Sequence, residues 1–126
     1  MQIVSFVDFC ALPAPVVFQE LPRENATHDN IGTLSVRGGV TYDGEGLPHS
    51  FVVVRCLANE LSDSEGGSSQ VEWPATSFRD GPDVYAQNAP RRFLVWDQPS
   101  VERLRSLLAM PDSFFGRAEP IRLAVE

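Results

Sequence analysis

The chain has 126 residues, 43% of them hydrophobic and 21% charged, with 10 prolines and 9 glycines. A composition of that kind suits one loop-rich globular domain, residues 1–126, able to hold a core without metal or disulfide staples. Its formal net charge of −7 disfavours direct nucleic-acid binding, because such affinity comes largely from Lys and Arg displacing the counterions of phosphates.

Residues 2–12 are apolar on both alternations and predict a first, well-covered strand, ended by Pro13 and Pro15. The run before Asp8 has no basic region ahead of it, so it is not read as a signal peptide. No apolar stretch is long enough to span a bilayer. The expectation is a cytoplasmic protein with no membrane contact. Val16 to Leu21 predicts a short extended piece, and Pro22 to Asn30 carries loop chemistry.

The centre of the chain is the stretch from Thr33 to Leu61. Leu34, Val36, Val40 and Tyr42 recur with period two, predicting a strand with these residues on its buried face and a bulge at Gly38-Gly39. Asp43 to Pro48 is a turn-forming loop, and Phe51 to Ala58 predicts a strand covered on both faces near the middle of a sheet. Ser62 to Ser69 is a polar, low-complexity tract. Gln70 to Phe78 predicts an edge strand, since Pro74 has no N–H for a ladder.

Asp80 to Asp83 is a turn, Val84 to Ala86 a short strand or none, and Arg91 to Trp96 a strand with a basic start. A helix follows. Asp97 or Ser100 can cap it, Pro99 suits its first turn, and Val101, Leu104, Leu107 and Leu108 share one face before Pro111 stops it. Phe114 and Phe115 are expected to bury over the helix end, and Ile121, Leu123 and Val125 predict a last strand. The fold class is α+β: an antiparallel or mixed β-sheet of five to seven strands with one main C-terminal α-helix packed on one face.

The functional signals are few. Cys10 and Cys56 lack the spacing of a zinc site or a redox pair and are expected as buried thiols. Gly38-Gly39 and Gly66-Gly67 stand outside any phosphate-loop pattern. Neither a cofactor nor a metal is expected. His49, with Asp43 or Glu45 in the preceding loop, is the best candidate for catalysis or metal binding. Otherwise it is a loop histidine.

The acids are unevenly placed: residues 1–90 hold 12 acids against 4 Arg, and residues 91–126 hold 5 against 6. Asp43 and Glu45 lie at one end of the central strand, and Glu60, Asp63 and Glu65 at the other, roughly 25 to 30 Å away. Arg91, Arg92 and Trp96 offer a small cationic and aromatic contact patch. The leading expectation is a small acidic non-enzymatic binding protein, of the accessory, inhibitor or immunity kind, whose partner is another protein with a basic surface. Its contact residues would be Asp43, Glu45, Glu60, Asp63, Glu65, Arg91, Arg92 and Trp96. The alternatives are a small enzyme or metal-binding protein using His49, and a homo-oligomer paired through exposed edge strands.

Overall fold

A computed structural model describes residues 1–23, 31–58, 61–63, 69–71 and 73–115. The chain forms two compact units, residues 1–96 and residues 97–126.

The first unit is built on a seven-stranded antiparallel sheet. Its strands are β1 (Gln2–Ser5), β2 (Val16–Glu20), β3 (Ser35–Arg37), β4 (Thr41–Tyr42), β5 (Pro48–Arg55), β8 (Ala75–Asp80) and β9 (Arg92–Val95). The strands β6 (Leu61–Asp63) and β7 (Ser69–Val71) pair as a separate two-stranded ribbon. Across the main sheet the order is β1-β9-β2-β3-β5-β4, with β8 on the other side of β5. The helices α1 (Phe6–Ala11) and α2 (Val84–Asn88) complete the unit.

The predicted first strand is overturned beyond Ser5. Phe6, Phe9 and Cys10 fall at i, i+3 and i+4 and are buried on one face of α1. The hydroxyl of Ser5 accepts the N–H of Asp8 at the helix start. A run that is apolar on both alternations satisfies a short buried helix as well as a strand, and here the cap decides. The strand or coil expected at 84–86 is likewise α2, which presents Val84 and Asn88 inward at i and i+4.

The β4–β5 hairpin forms as expected, and the chain leaves the ladder between Arg37 and Thr41, with a register shift at Thr41/Tyr42. The burial expected of β3 is shifted. Ser35 and Arg37 face the core, Leu34 is buried, Val36 is only half-buried, and Tyr42 is exposed. The phase is set by pairing with β5, where Arg37 lies opposite Val53 and Ser35 opposite Arg55. On β5 itself Phe51 and Val53 are buried but Val52 is 36% exposed, so the strand is covered on one face rather than two. The strand expected over 70–78 is divided between β7 and β8, and β8 pairs with one neighbour, β5, among the described residues.

The core is aromatic. Phe6, Phe9, Phe18, Phe51 and Phe93 are buried together with Cys10, Val16, Val53 and Val84. The rings of Phe9 and Phe93 stack with centroids 4.1 Å apart, and Phe18 meets Phe9 edge-on at 4.7 Å.

The second unit carries the predicted helix, α3 (Gln98–Ala109), with Asp97 as its N-cap accepting the N–H of Ser100 at 2.9 Å and Pro99 in its first turn. The one-turn helix α4 (Asp112–Phe115) follows. Ser113 donates to the carbonyl of Met110 in the intervening turn, and Phe115 is turned outward, 69% exposed rather than buried. The last predicted strand, residues 121–126, and most of the 22–30 loop lie outside the described residues. No helix among the described residues is long and apolar enough to cross a membrane.

Candidate functional site

Asp43 and Glu45 sit at the tip of the β4–β5 hairpin. The carboxylate of Asp43 is committed to the turn: its Oδ1 accepts the backbone N–H of Glu45 at 2.8 Å and of Leu47 at 3.0 Å. Those bonds, that of Leu47 foremost, hold its carboxyl below the usual carboxylate range, and nearby His49 adds to the effect. The structure thus brings Asp43 and His49 into electrostatic reach of each other, with the carboxylate oxygen already occupied by backbone donors. Among the described residues no three of His, Cys, Asp and Glu are grouped closely enough to hold a metal ion. Asp63 ends β6 opposite Ser69. Glu60 and Glu65 lie outside the described residues.

The predicted patch of Arg91, Arg92 and Trp96 is divided between two faces. Alternation along β9 places Phe93 on the core side and Arg92 and Leu94 on the outer side. Arg92 is exposed. Trp96 continues the outer side, half-buried, with its indole N–H donating to Oε1 of Gln19 at 3.0 Å. Arg91 turns the other way and donates to Oε2 of Glu20 at 2.9 Å.

That contact opens onto a feature the sequence analysis did not single out. Where the end of β2, the end of β8 and α2 converge, a cavity of about 510 Å³ is lined by Glu20, Arg23, Arg79, Asp80, Asn88 and Arg91, with Val84 and Gln87 beside them. One carboxylate serves two guanidinium groups: Oε1 of Glu20 lies 2.8 Å from Nη2 of Arg79 and Oε2 lies 2.9 Å from Nη1 of Arg91. The first contact has no hydrogen-bond alignment, so charge alone holds it.

Arg79 is fixed from a second side. Its Nη1 donates at 2.9 Å to Oδ1 of Asn88, and the buried Asn88 amide in turn donates to the carbonyl of Val84 at 2.8 Å. Its guanidinium also lies 5.8 Å from the centre of the Phe51 ring. Arg23 is exposed and makes no hydrogen bond or ion pair among the described residues. A smaller hollow of about 190 Å³ adjoins the first through Glu20 and Arg79 and is floored by Phe18 and Val53.

A second polar group is buried beneath α1. Arg37, 1% exposed, donates through Nη1 to the carbonyl of Phe9, through Nη2 to the carbonyl of Leu12 at 2.6 Å, and through Nε to the carbonyl of Gly38 at 2.8 Å. The hydroxyl of Tyr42 donates to the carbonyl of Cys10 at 3.0 Å. Three carbonyls at the end of α1, those of Phe9, Cys10 and Leu12, thereby take side-chain donors from β3 and β4, that of Phe9 in addition to the backbone N–H of Leu12 at 3.3 Å. Burial pushes the Arg37 guanidinium below its ordinary value, and it pushes the neighbouring Cys10 thiol up to about 11 despite the opposing charges of Arg37 and Arg79.

The signal for both polar groups was present but needed pairing to be read. Arg37 and Arg79 occupy core-phase positions of their strands, opposite Val53 and Phe51 respectively. Comparison with protein-family models, curated proteins and solved structures gives no match to this chain.

Proposed function

We propose that the chain is a small, non-enzymatic binding protein that acts by occupying the surface of a partner protein. The observation that supports this reading is the cross-strand pair of Val52 and Phe78. They are register partners on β5 and β8, on the face of the sheet away from the phenylalanine core, and they are 36% and 59% exposed. The end of the same two strands carries Leu57 and Trp73, both exposed. Trp73 is held in place by its indole N–H, which donates to the carbonyl of Cys56 at 2.7 Å. Fixed aromatic groups beside exposed aliphatic ones are the type of surface on which interface energy concentrates.

The acidic tip at Asp43 and Glu45 would belong to the polar rim and would speed encounter with a basic partner. The hairpin turn fixes Asp43 by backbone hydrogen bonds, so its charge is held in one place.

Native mass spectrometry of the tagged chain, captured gently from its own cells, tests the reading. One added protein mass in fixed ratio, lost when Phe78→Glu is captured in the same way, is the expected result. A bare chain, or a complex undiminished by Phe78→Glu, overturns it. The position of β8, bonded to β5 alone among the described strands, favours one second reading, pairing between copies. A mass that is a multiple of the chain's own would select it.

A further inference from the structure

We infer that the cavity between β2, β8 and α2, which Phe78 of the proposed partner-binding face also borders, is a binding site for a small phosphorylated molecule. Among the described residues, three guanidinium groups, from Arg23, Arg79 and Arg91, line it against the two carboxylates of Glu20 and Asp80. The described lining therefore carries an excess positive charge within a chain whose formal net charge is −7.

The arginines are unequally committed. Glu20 takes a single Nη group from each of Arg79 and Arg91, and Asn88 takes one more from Arg79. Each guanidinium has five N–H donors, so most of those on Arg91 and all of those on Arg23 have no partner among the described residues. Donors in this number exceed what the two oxygens of one further carboxylate accept. A phosphate presents three or four oxygens and up to two negative charges, and arginine forks fit it in pairs.

The cavity is also pre-formed. Asn88 is buried, its amide is oriented by the Val84 carbonyl, and it anchors Arg79 from behind. A guanidinium already held in place loses little freedom on binding an anion. The volume, about 510 Å³, exceeds that of inorganic phosphate and leaves room for a small organic body against Val84 and Gln87. That size falls within the usual range for small-molecule sites. Glu20 acts as the internal competitor: it occupies the two inner arginines until a stronger oxyanion arrives.

The test is calorimetric titration of the full chain with inorganic phosphate, pyrophosphate and ribose 5-phosphate at low ionic strength. Saturable binding of one equivalent is expected, with ribose 5-phosphate tighter than inorganic phosphate. Arg23→Ala removes an exposed side chain that holds nothing together among the described residues, so it should leave the melting temperature unchanged while weakening the phosphate ester about tenfold. Glu20→Gln should tighten binding, because it removes the competing charge. Absence of saturation by all three probes at millimolar concentration, or binding unchanged in Arg23→Ala, overturns the inference. Malonate binding as tightly as ribose 5-phosphate would overturn the preference for phosphate.

Discussion

The guanidinium of Arg37 lies over the ring of Phe9, 5.2 Å from its centre, while donating to the main-chain carbonyl of the same residue. One side chain from β3 thus fixes both the backbone end of α1 and the aromatic group that α1 delivers to the core. A buried arginine that meets no carboxylate among the described residues is tolerable only because carbonyl oxygens take up its N–H groups. The cation is also favourably placed, since carbonyl dipoles converge at a helix C-terminus.

Arg37→Met keeps much of the volume and removes the donors. It leaves the Phe9 and Leu12 carbonyls without these bonds, and a loss of about 3 kcal/mol is expected in urea denaturation. Arg37→Lys, which cannot reach three carbonyls in one plane, should fall between the two. A Met variant within about 1 kcal/mol of the wild type would show that water or neighbouring groups replace the arginine.

Alkaline pH should destabilise the fold through Cys10. Its thiol is pushed up to about 11 by burial, from an ordinary value of 9.0. The folded state therefore holds the proton more tightly than the unfolded state. The stability from this group is fully present below pH 9 and is lost as the pH rises from 9 towards 11, at up to about 1.4 kcal/mol per pH unit. Urea midpoints at neutral pH and above pH 9 should decline more in the wild type than in Cys10→Ala. Equal declines would assign the effect to other groups.

The two faces of the sheet should respond differently to truncation. Phe93→Ala removes the ring stacked on Phe9 and is expected to cost about 3–5 kcal/mol. Phe78→Ser on the outer face should change stability by less than about 0.5 kcal/mol. Thermal or urea unfolding of both variants checks the contrast. Comparable losses would mean that Phe78 is a packing residue rather than a contact residue.

Gly32 closes against the end of β2. Its N–H donates to the Glu20 carbonyl at 2.7 Å, and a Cβ added there would meet that oxygen at 3.1 Å and the Glu20 Cβ at 3.3 Å. Gly32→Ala should cost about 1–2 kcal/mol by displacing this strand end. The displacement should also be visible as shifted NMR resonances of Arg79 and Arg91, whose ion pairs depend on Glu20. Unchanged resonances would mean that the loop yields instead.

The sequence was most informative where a local rule acted alone. Asp97 and Pro99 mark the start of α3, and the loop from Asp43 to Pro48 joins β4 to β5, because caps and turns need only near neighbours. It was least informative where burial depends on a distant strand. Phe6, Phe9 and Cys10 could have belonged to a strand until the Ser5 cap and the carbonyl-binding Arg37 and Tyr42 were seen to favour a helix. The phosphate cavity was illegible for the same reason. Glu20 and Arg91 are 71 positions apart, and only the pairing of β2 with β9 brings them together.

The position of β9 has a consequence for how the protein is made. This strand, residues 92–95, enters between β1 and β2, which have no ladder with each other. Until it arrives, Phe9 has no Phe93 to stack on and Glu20 has no Arg91. During synthesis from the N-terminus, β1 therefore stays detached from the β2-β3-β5-β8 part of the sheet until the chain has emerged past Val95. A nascent chain stalled before that point would expose two strand edges to chaperones or to aggregation.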